Sequence, residues 1–319
     1  MLPKLELVKM GIHMEVIFRM KMSAAFQRLC LALMIVCLLL SACQVSNGTA
    51  EDHTDQSSVP TTKAMSETET ETQTEPEPEP EPEPQELSLR VASYNIKHGK
   101  LADLDMTKLA DNIIALDLDI VGLQEIDQMT TRVNGLNTMK TLSQATGYPY
   151  YCFFKAMDYK GGEYGLGVLS KYPIVATQTI LLQTPSNIEQ RILGRAEIDV
   201  DGFTFSFFVT HLSYNSREIR DAQFKGIAEA VKSYDNYILV GDFNTTNFEE
   251  YAVIENADMI NNAKQSVGTM STSSKSIDNI VYSVPFWSFE APQVLEKSHS
   301  DHYLLYSVAT CIIEKRPLT

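Results

Sequence analysis

Ten apolar runs of strand length lie between residues 87 and 319, and few helical segments separate them. The runs are Leu89–Ile96, Asp119–Gln124, Tyr150–Lys155, Leu166–Ser170, Ile174–Leu182, Arg195–Val200, Phe203–Thr210, Tyr237–Val240, Ile277–Val281 and Tyr303–Val308. Helical spacing of apolar residues follows Asp105, a candidate cap, and recurs over Ser216–Ser233. Many strands with few helices favour two stacked sheets flanked by helices, an α/β sandwich.

Polar side chains stand repeatedly at the ends of these apolar runs. They are Asn95, Glu125, His211, Asp242 with Asn244, Asp278, and the pair Asp301 and His302. A carboxylate next to a buried strand is costly unless it is paired or binds a metal ion. A single such group is often a helix cap or a turn residue. Their recurrence at strand ends predicts one convergent site.

Six short segments occur in a fixed order along the chain: SYNI, LQE, THL, GDFN, ID and SDH, from residue 93 to residue 302. The ordered set resembles the endonuclease/exonuclease/phosphatase superfamily, which includes deoxyribonuclease I, exonuclease III, neutral sphingomyelinases and inositol-polyphosphate phosphatases. The resemblance covers residues 89–310. It implies a four-layer α/β/β/α sandwich of two mainly antiparallel sheets, and metal-dependent hydrolysis of a phosphate ester. Residues 161–173 further resemble a compact bacterial branch of metal-dependent hydrolases.

Three of the matching residues are expected to hold the metal ion. Glu125 is the first choice, because a carboxylate that ends a buried strand is rigid and desolvated. Asn95 is expected to assist, and Asp301 to join. Magnesium is the expected ion, with manganese as the alternative, because a hard divalent cation prefers oxygen ligands and neutralises charge on the phosphate.

The other matching residues take the catalytic roles that the resemblance implies. Asp242 would orient or deprotonate the attacking water, and the Asn244 amide would donate to the phosphoryl oxygens. Asp278 is the expected carboxylate partner of His302, fixing its tautomer and raising its basicity. His211 would contact the phosphate or protonate the leaving oxygen. Which of these groups is the general base stays open.

Four further residues are candidates for binding the substrate. Tyr164 is either a core residue or a hydroxyl that contacts the phosphate. Arg132, Arg191 and Arg195 are of a type most often found as surface charges, and one of them is expected to reach the phosphate.

The N-terminal segment, residues 1–42, has the pattern of a signal peptide. Lys21 and Arg28 precede the apolar run Leu29–Leu40, which is shorter than the roughly 20 residues that a membrane-spanning helix needs. The following Ser41-Ala42-Cys43 resembles a bacterial lipobox, in which the cysteine is lipidated. An ordinary secretory signal is the alternative. The lipobox predicts an anchor at Cys43 on the extracytoplasmic face of a bacterial cell membrane.

Residues 43–86 form an acidic segment rich in Thr, Glu and Pro. From residue 44 onward it holds twelve acidic residues and one basic residue, with few large apolar side chains. Such a composition cannot offset the entropy of ordering, so a disordered, extended spacer is predicted. An acidic binding tail is the weaker alternative.

The remaining domain, residues 87–319, carries a net charge of −7 within a total of −15 for the 319-residue chain. That balance argues against strong non-specific binding of nucleic acid. Cys152 and Cys311 are expected to be free thiols, and the protein to be a monomer.

The sequence thus predicts a tethered phosphodiester or phosphomonoester hydrolase. The alternatives are a surface nuclease for DNA or RNA, a sphingomyelinase-like phospholipid phosphodiesterase, and a non-catalytic binding lipoprotein.

Overall fold

The computed structural model describes residues 84–313, which form two mixed β-sheets with flanking helices. The strands are β1 (Gln85–Asn95), β2 (Ile120–Gln128), β3 (Tyr150–Tyr159), β4 (Gly162–Ser170), β5 (Ile174–Leu181), β6 (Ile192–Val200), β7 (Phe203–His211), β8 (Tyr237–Asp242), β9 (Ala257–Met259), β10 (Asp278–Ser283), β11 (Ser288–Phe289), β12 (Gln293–Leu295) and β13 (Leu304–Ile313). The helices are α1 (Met106–Ala115), α2 (Thr138–Thr146) and α3 (Arg217–Val231). The predicted α/β sandwich is confirmed.

Each sheet has one parallel pair of strands at its centre. The first sheet has the order β11-β13-β1-β2-β4-β3, with β12 also paired to β13, and β1 and β2 run parallel. The second sheet has the order β5-β6-β7-β8-β10-β9, and β7 and β8 run parallel. Helix α1 connects β1 to β2, and α3 connects β7 to β8. Parallel neighbours place their carboxyl ends at the same edge, so each sheet brings two strand ends together there.

Three buried apolar layers hold the sandwich together. The central layer joins the facing sides of the two sheets and includes Val91, Phe207 and Val240. The outer layers bury α1 and α2 against the first sheet and α3 against the second. A side chain at Gly122 would place its Cβ 2.2 Å from the Val240 side chain, so this strand position needs a glycine for the sheets to approach closely.

The helices begin where the sequence supplies a capping side chain. Asp105 accepts a hydrogen bond from the Thr107 amide at 3.1 Å, as its position predicts, and Ser216 caps α3. Helix α2 is not predicted by the sequence. Its nine residues are mostly polar, and they contain too few apolar residues to show a helical spacing. It is held by its cap, Asn137, and by burial of Met139 and Leu142.

Several predicted features lie at or beyond the ends of the described range, residues 84–313. The signal peptide, Cys43 and nearly all of the acidic spacer lie outside residues 84–313. Strand β1 begins at Gln85, two residues before the predicted domain boundary. Within the described residues no helix is long and apolar enough to cross a membrane. Cys152 and Cys311 are both free thiols, as expected, and burial raises the pKa of Cys152 to about 12.

Candidate functional site

A cavity of about 230 Å³ opens at the edge where β2, β7 and β8 end. The parallel pair β1–β2 of one sheet faces the parallel pair β7–β8 of the other across the sandwich. This arrangement brings together the polar residues predicted at strand ends. The residues that line the cavity are Glu125, Arg132, Met157, Tyr159, Tyr164, Glu189, Arg191, His211, Tyr214, Asp242, Asn244 and His302.

Asp242, Asp278 and His302 form a buried cluster at one wall of this site. Strand β8 ends at Asp242 and the antiparallel strand β10 begins at Asp278, so the two residues lie opposite each other. His302 Nδ1 lies 2.9 Å from Asp278 Oδ2, and His302 Nε2 lies 3.6 Å from Asp242 Oδ2. Each residue offers one ligand atom, and these atoms lie within 4.8 Å of one another. The cluster is therefore a candidate metal centre as well as a candidate proton relay.

The electrostatics of the cluster reflect its burial. Loss of solvent and the neighbouring charge of Asp278 raise the pKa of Asp242 to about 7. Burial alone would lower the pKa of His302, but the charges of Asp278 and Asp242 outweigh it and raise that pKa to about 10. Asp278 Oδ1 is buried and has no hydrogen-bond partner among the described residues.

Glu125 and Asn95 stand beside this cluster. Asn95 Nδ2 donates to Glu125 Oε1 at 3.3 Å and to Asp242 Oδ2 at 3.1 Å, so one amide links both carboxylates. Glu125 has a left-handed φ of 57° where the pairing of β2 with β4 shifts register. Such an irregularity re-aims a side chain next to a functional site. Burial opposes ionisation of Glu125, yet the neighbouring His98 imidazole and the hydrogen bond from Asn95 lower its pKa.

His211 and Asn244 lie on the other side of Asp242. His211 Nε2 is 3.4 Å from Asp242 Oδ2, while its buried Nδ1 has no partner among the described residues. Burial, with the positive charge of Arg191, lowers the pKa of His211 well below its usual value, which favours the neutral imidazole. Asn244 has a left-handed φ of 52°, and its side-chain amide donates to the Leu212 carbonyl at 3.0 Å.

Asp301 reaches the site differently from the other predicted metal ligands. Its carboxylate accepts a hydrogen bond from Lys97 Nζ and forms an ion pair with it. The adjacent Ser300 hydroxyl donates to the Asn95 carbonyl at 2.7 Å, which fixes this segment against the end of β1.

Of the four predicted substrate-binding residues, three line the cavity. Tyr164 is buried, and Arg132 lies over its ring and that of Tyr159. Arg132 also forms a bidentate pair with Asp127 at 2.6 and 3.0 Å. Arg191 is buried with its Nη1 2.6 Å from Glu189 Oε1.

Arg195 is the predicted substrate-binding residue that does not line the cavity. It bonds Ser206 Oγ at 2.9 Å and Glu197 Oε2 at 3.0 Å, and it stacks over the Tyr234 ring at 4.4 Å. It lies in the middle of β6, opposite Phe208, several residues from the strand end that faces the site. The position within the strand places Arg195 away from the cavity, and its largely buried side chain, 13% exposed, is engaged by these three partners.

Sequence reasoning missed several residues of the site. Met157, Tyr159, Glu189 and Tyr214 line the cavity, and His98 lies 3.7 Å from Glu125. None of the four lining residues belongs to the ordered segments that carry the resemblance. His98 lies two residues after the SYNI segment. This closeness is the one feature of the sequence that could have marked His98 as a site residue.

Solved structures with the same fold share low sequence identity with the chain. An endonuclease/exonuclease/phosphatase family protein from Bacteroides thetaiotaomicron is 19% identical, with a TM-score of 0.59, over 74% of this chain and 100% of that one. A mannosyl-6-phosphatase from the same species is 19% identical, with a TM-score of 0.56, over 69% and 99%. The human Nocturnin catalytic domain with bound sulfate is 18% identical, with a TM-score of 0.55, over 72% and 98%.

The curated proteins offer no match to this chain. The model of the Endonuclease/Exonuclease/phosphatase family, in contrast, matches residues 92–302. This range spans the SYNI segment to the SDH segment, and it includes all the residues of the buried cluster. The chain therefore belongs to the Endonuclease/Exonuclease/phosphatase family.

Proposed function

We propose that the protein is a metal-dependent hydrolase of phosphate esters, acting by in-line attack of an activated water. The observation that carries the proposal is a set of three buried or half-buried carboxylates at one site. Glu125 and Asp242 line the cavity, and Asp278 lies opposite Asp242 in the sheet. Within residues 84–313, none of the three forms an ion pair with a lysine or arginine; their ion-pair partners are histidines. Buried carboxylates without such partners are a fitting environment for a divalent cation.

The donor set fits a hard cation such as magnesium, with manganese as the alternative. We assign Glu125 and Asn95 as the residues that hold it, with Asp242 adjacent. His302 Nδ1 is already engaged by Asp278, so we assign His302 to proton handling rather than to the metal. When bound, the cation would neutralise charge on the phosphate and lower the pKa of water near it.

Residues of the chain would then activate the water, protonate the leaving oxygen and contact the phosphate. Asp242 orients the water and accepts its proton as the water oxygen bonds to phosphorus, while the bond from phosphorus to the ester oxygen breaks. The leaving oxygen takes up a proton, which His302 is placed to donate, whereas the neutral imidazole of His211 would contact the phosphate. Arg191 Nε is buried without a partner among the described residues, so it is available to a phosphate oxygen.

We further propose small phosphate esters as substrates, in preference to long nucleic acids. Both cavity arginines are already paired, Arg132 with Asp127 and Arg191 with Glu189, and the domain is acidic overall. Little positive charge therefore remains to track a polyanion. One protein of the same fold bears the name mannosyl-6-phosphatase, and another holds a bound sulfate, which is consistent with a compact phosphate site.

A panel of phosphate esters tests this proposal on the purified protein. It should contain sugar phosphates, nucleotides, oligonucleotides, plasmid DNA and sphingomyelin, each with magnesium, manganese or chelator. We expect preferential turnover of a small ester, with loss of activity in chelator that added metal restores. Cleavage of plasmid with steep inhibition by salt would favour the nuclease, and release of phosphorylated head groups would favour the phospholipase. Turnover of nothing, with tight binding of a ligand, would favour the binding lipoprotein.

We propose that the domain is held at the extracytoplasmic face of the membrane by a lipid on Cys43. The spacer joins the domain at Gln85, and the site begins at Asn95, the opposite end of the same strand. At about 3.3 Å per residue these two points are roughly 33 Å apart. The predicted spacer therefore enters the domain at the end of β1 that is remote from the site.

Cys43→Ala is expected to move the protein from the membrane fraction to the soluble fraction and to abolish labelling by radioactive fatty acid. Cys152→Ala, which removes a thiol in the domain, is the matched control and should leave both readouts unchanged. Labelling of Cys43→Ala at the level of the unaltered protein would refute the lipid anchor.

A further inference from the structure

The segment that follows β1 has an unusual backbone. Lys97, His98 and Gly99 have left-handed φ values of 46°, 46° and 76°. Glycine adopts this conformation readily, whereas Lys and His do so at a cost in free energy. Strain of this kind persists where the surrounding structure holds it, often at functional sites. Here the strained turn directs two basic side chains at two acidic residues of the site.

The two contacts differ in the permanence of the positive charge. Lys97 Nζ binds Asp301 Oδ2, and the two side chains are only 32% and 26% exposed. His98 Nδ1 lies 3.7 Å from Glu125 Oε2, and an imidazole is charged only when it is protonated. An ammonium group carries its charge at any physiological pH. Asp301 is therefore balanced by a fixed cation, whereas Glu125 is not.

The rest of the acidic cluster also has no lysine or arginine partner among the described residues. Asp242 and Asp278 form their ion-pair contacts with histidines. The pair formed by Lys97 and Asp301 is thus a neutral unit beside carboxylates that no lysine or arginine contacts. A divalent cation would be attracted to Glu125 and Asp242, and a second one near Asp301 would meet the Lys97 ammonium instead of a free carboxylate.

We propose that Lys97 acts as a built-in cation that neutralises Asp301 and limits the site to one divalent metal ion. The inference rests on the proposed metal-dependent function, and it concerns the number of ions, not the reaction. It assigns Asp301 a structural partner in place of the direct role in metal binding that the sequence predicts. Lys97 is a positioning residue in this scheme, because it acts on the metal site through Asp301.

Manganese titration of the purified full-length protein tests this inference, with calorimetry for stoichiometry and electron paramagnetic resonance for the free ion. We expect one bound manganese in the unaltered protein and two in Lys97→Met, because Asp301 becomes available as a ligand. Lys97→Arg keeps the positive charge and should bind one. Lys100→Met removes an exposed lysine of the same segment and should also bind one. Weak binding by the acidic spacer is common to all variants and cancels in the comparison.

The double variant Lys97→Met with Asp301→Asn removes the ion pair as a neutral unit. It should bind one manganese with the affinity of the unaltered protein, and thermal melting should show that it is folded. A marked loss of affinity in this variant would show Asp301 to be a ligand and would overturn the inference. Two ions in the unaltered protein, or one in a folded Lys97→Met, would overturn it as well. Absence of both manganese binding and hydrolysis in the unaltered protein would instead refute the proposed function.

Discussion

His302→Asn is expected to lower kcat/KM for the preferred phosphate ester by about 10²- to 10⁴-fold, the range typical of a lost general acid or base. His302 Nδ1 is held by Asp278 at 2.9 Å, and Nε2 faces Asp242 at 3.6 Å. Asparagine is close in size to the near half of the imidazole but cannot take up or release a proton at neutral pH. Steady-state kinetics at saturating magnesium measure the effect.

A second measurement on the same variant separates the two roles open to the buried cluster. If His302 handles protons, manganese affinity should change little in His302→Asn. If His302 is a metal ligand together with Asp242 and Asp278, affinity should fall steeply with activity. The control is His299→Asn, since His299 is exposed and its left-handed φ of 55° suits asparagine. Full activity in His302→Asn would remove this residue from the mechanism.

Glu125→Gln is expected to lower both metal affinity and kcat/KM by at least about 100-fold. The substitution keeps the shape of the side chain and its contact with Asn95, but it removes the negative charge that a cation needs. Loss of a residue that only orients a metal ligand already costs about 10- to 100-fold in affinity or activity, so loss of a ligand charge should cost at least as much. Metal titration and kinetics at several metal concentrations measure the two effects.

The matched control for this change is Glu249→Gln, an exposed glutamate in the short helical segment after β8. It should leave metal affinity and turnover unchanged. Partial recovery of Glu125→Gln at high metal concentration would fit weakened metal binding. Undiminished activity in Glu125→Gln, together with undiminished activity of the unaltered protein in chelator, would show the metal assignment to be wrong.

Much of the fold could be predicted from the chain because its central strands bury both faces. A strand such as β8 is covered on each side and is therefore a continuous apolar run that can be recognised without a partner. The helix that precedes β2 carries its own cap, Asp105, and that local signal is independent of tertiary contacts. Helix α2 lacks comparable apolar spacing, so burial of Met139 and Leu142 against the first sheet determines it.

The residues of the site were most predictable where they lie at the end of a buried strand. His211 and Asp242 end two parallel neighbours, and Glu125 follows the last residue of β2 that pairs with β1. Parallel neighbours bring such positions to the same edge of their sheet. Glu189 and Tyr214 lie outside the strands, so their place at the cavity depends on how those segments pack. Arg195 is the opposite case. It is a charged residue in a strand next to β7, but its position within β6 places it away from the cavity.

The sequence by itself determined the family, the stacked sheets and the polar residues at the strand ends, because buried strands and their terminal carboxylates leave a local pattern. Apart from the pair of His302 with Asp278, which the family resemblance implies, tertiary structure alone decided the partners of those carboxylates. Asn95 joins Glu125 to Asp242, His302 joins Asp242 to Asp278, and Lys97 takes Asp301. The physical reason is that an ion pair depends on separations of a few ångströms between strands of different sheets and their loops. Such separations are set by packing across the sandwich and leave no trace in the local order of residues.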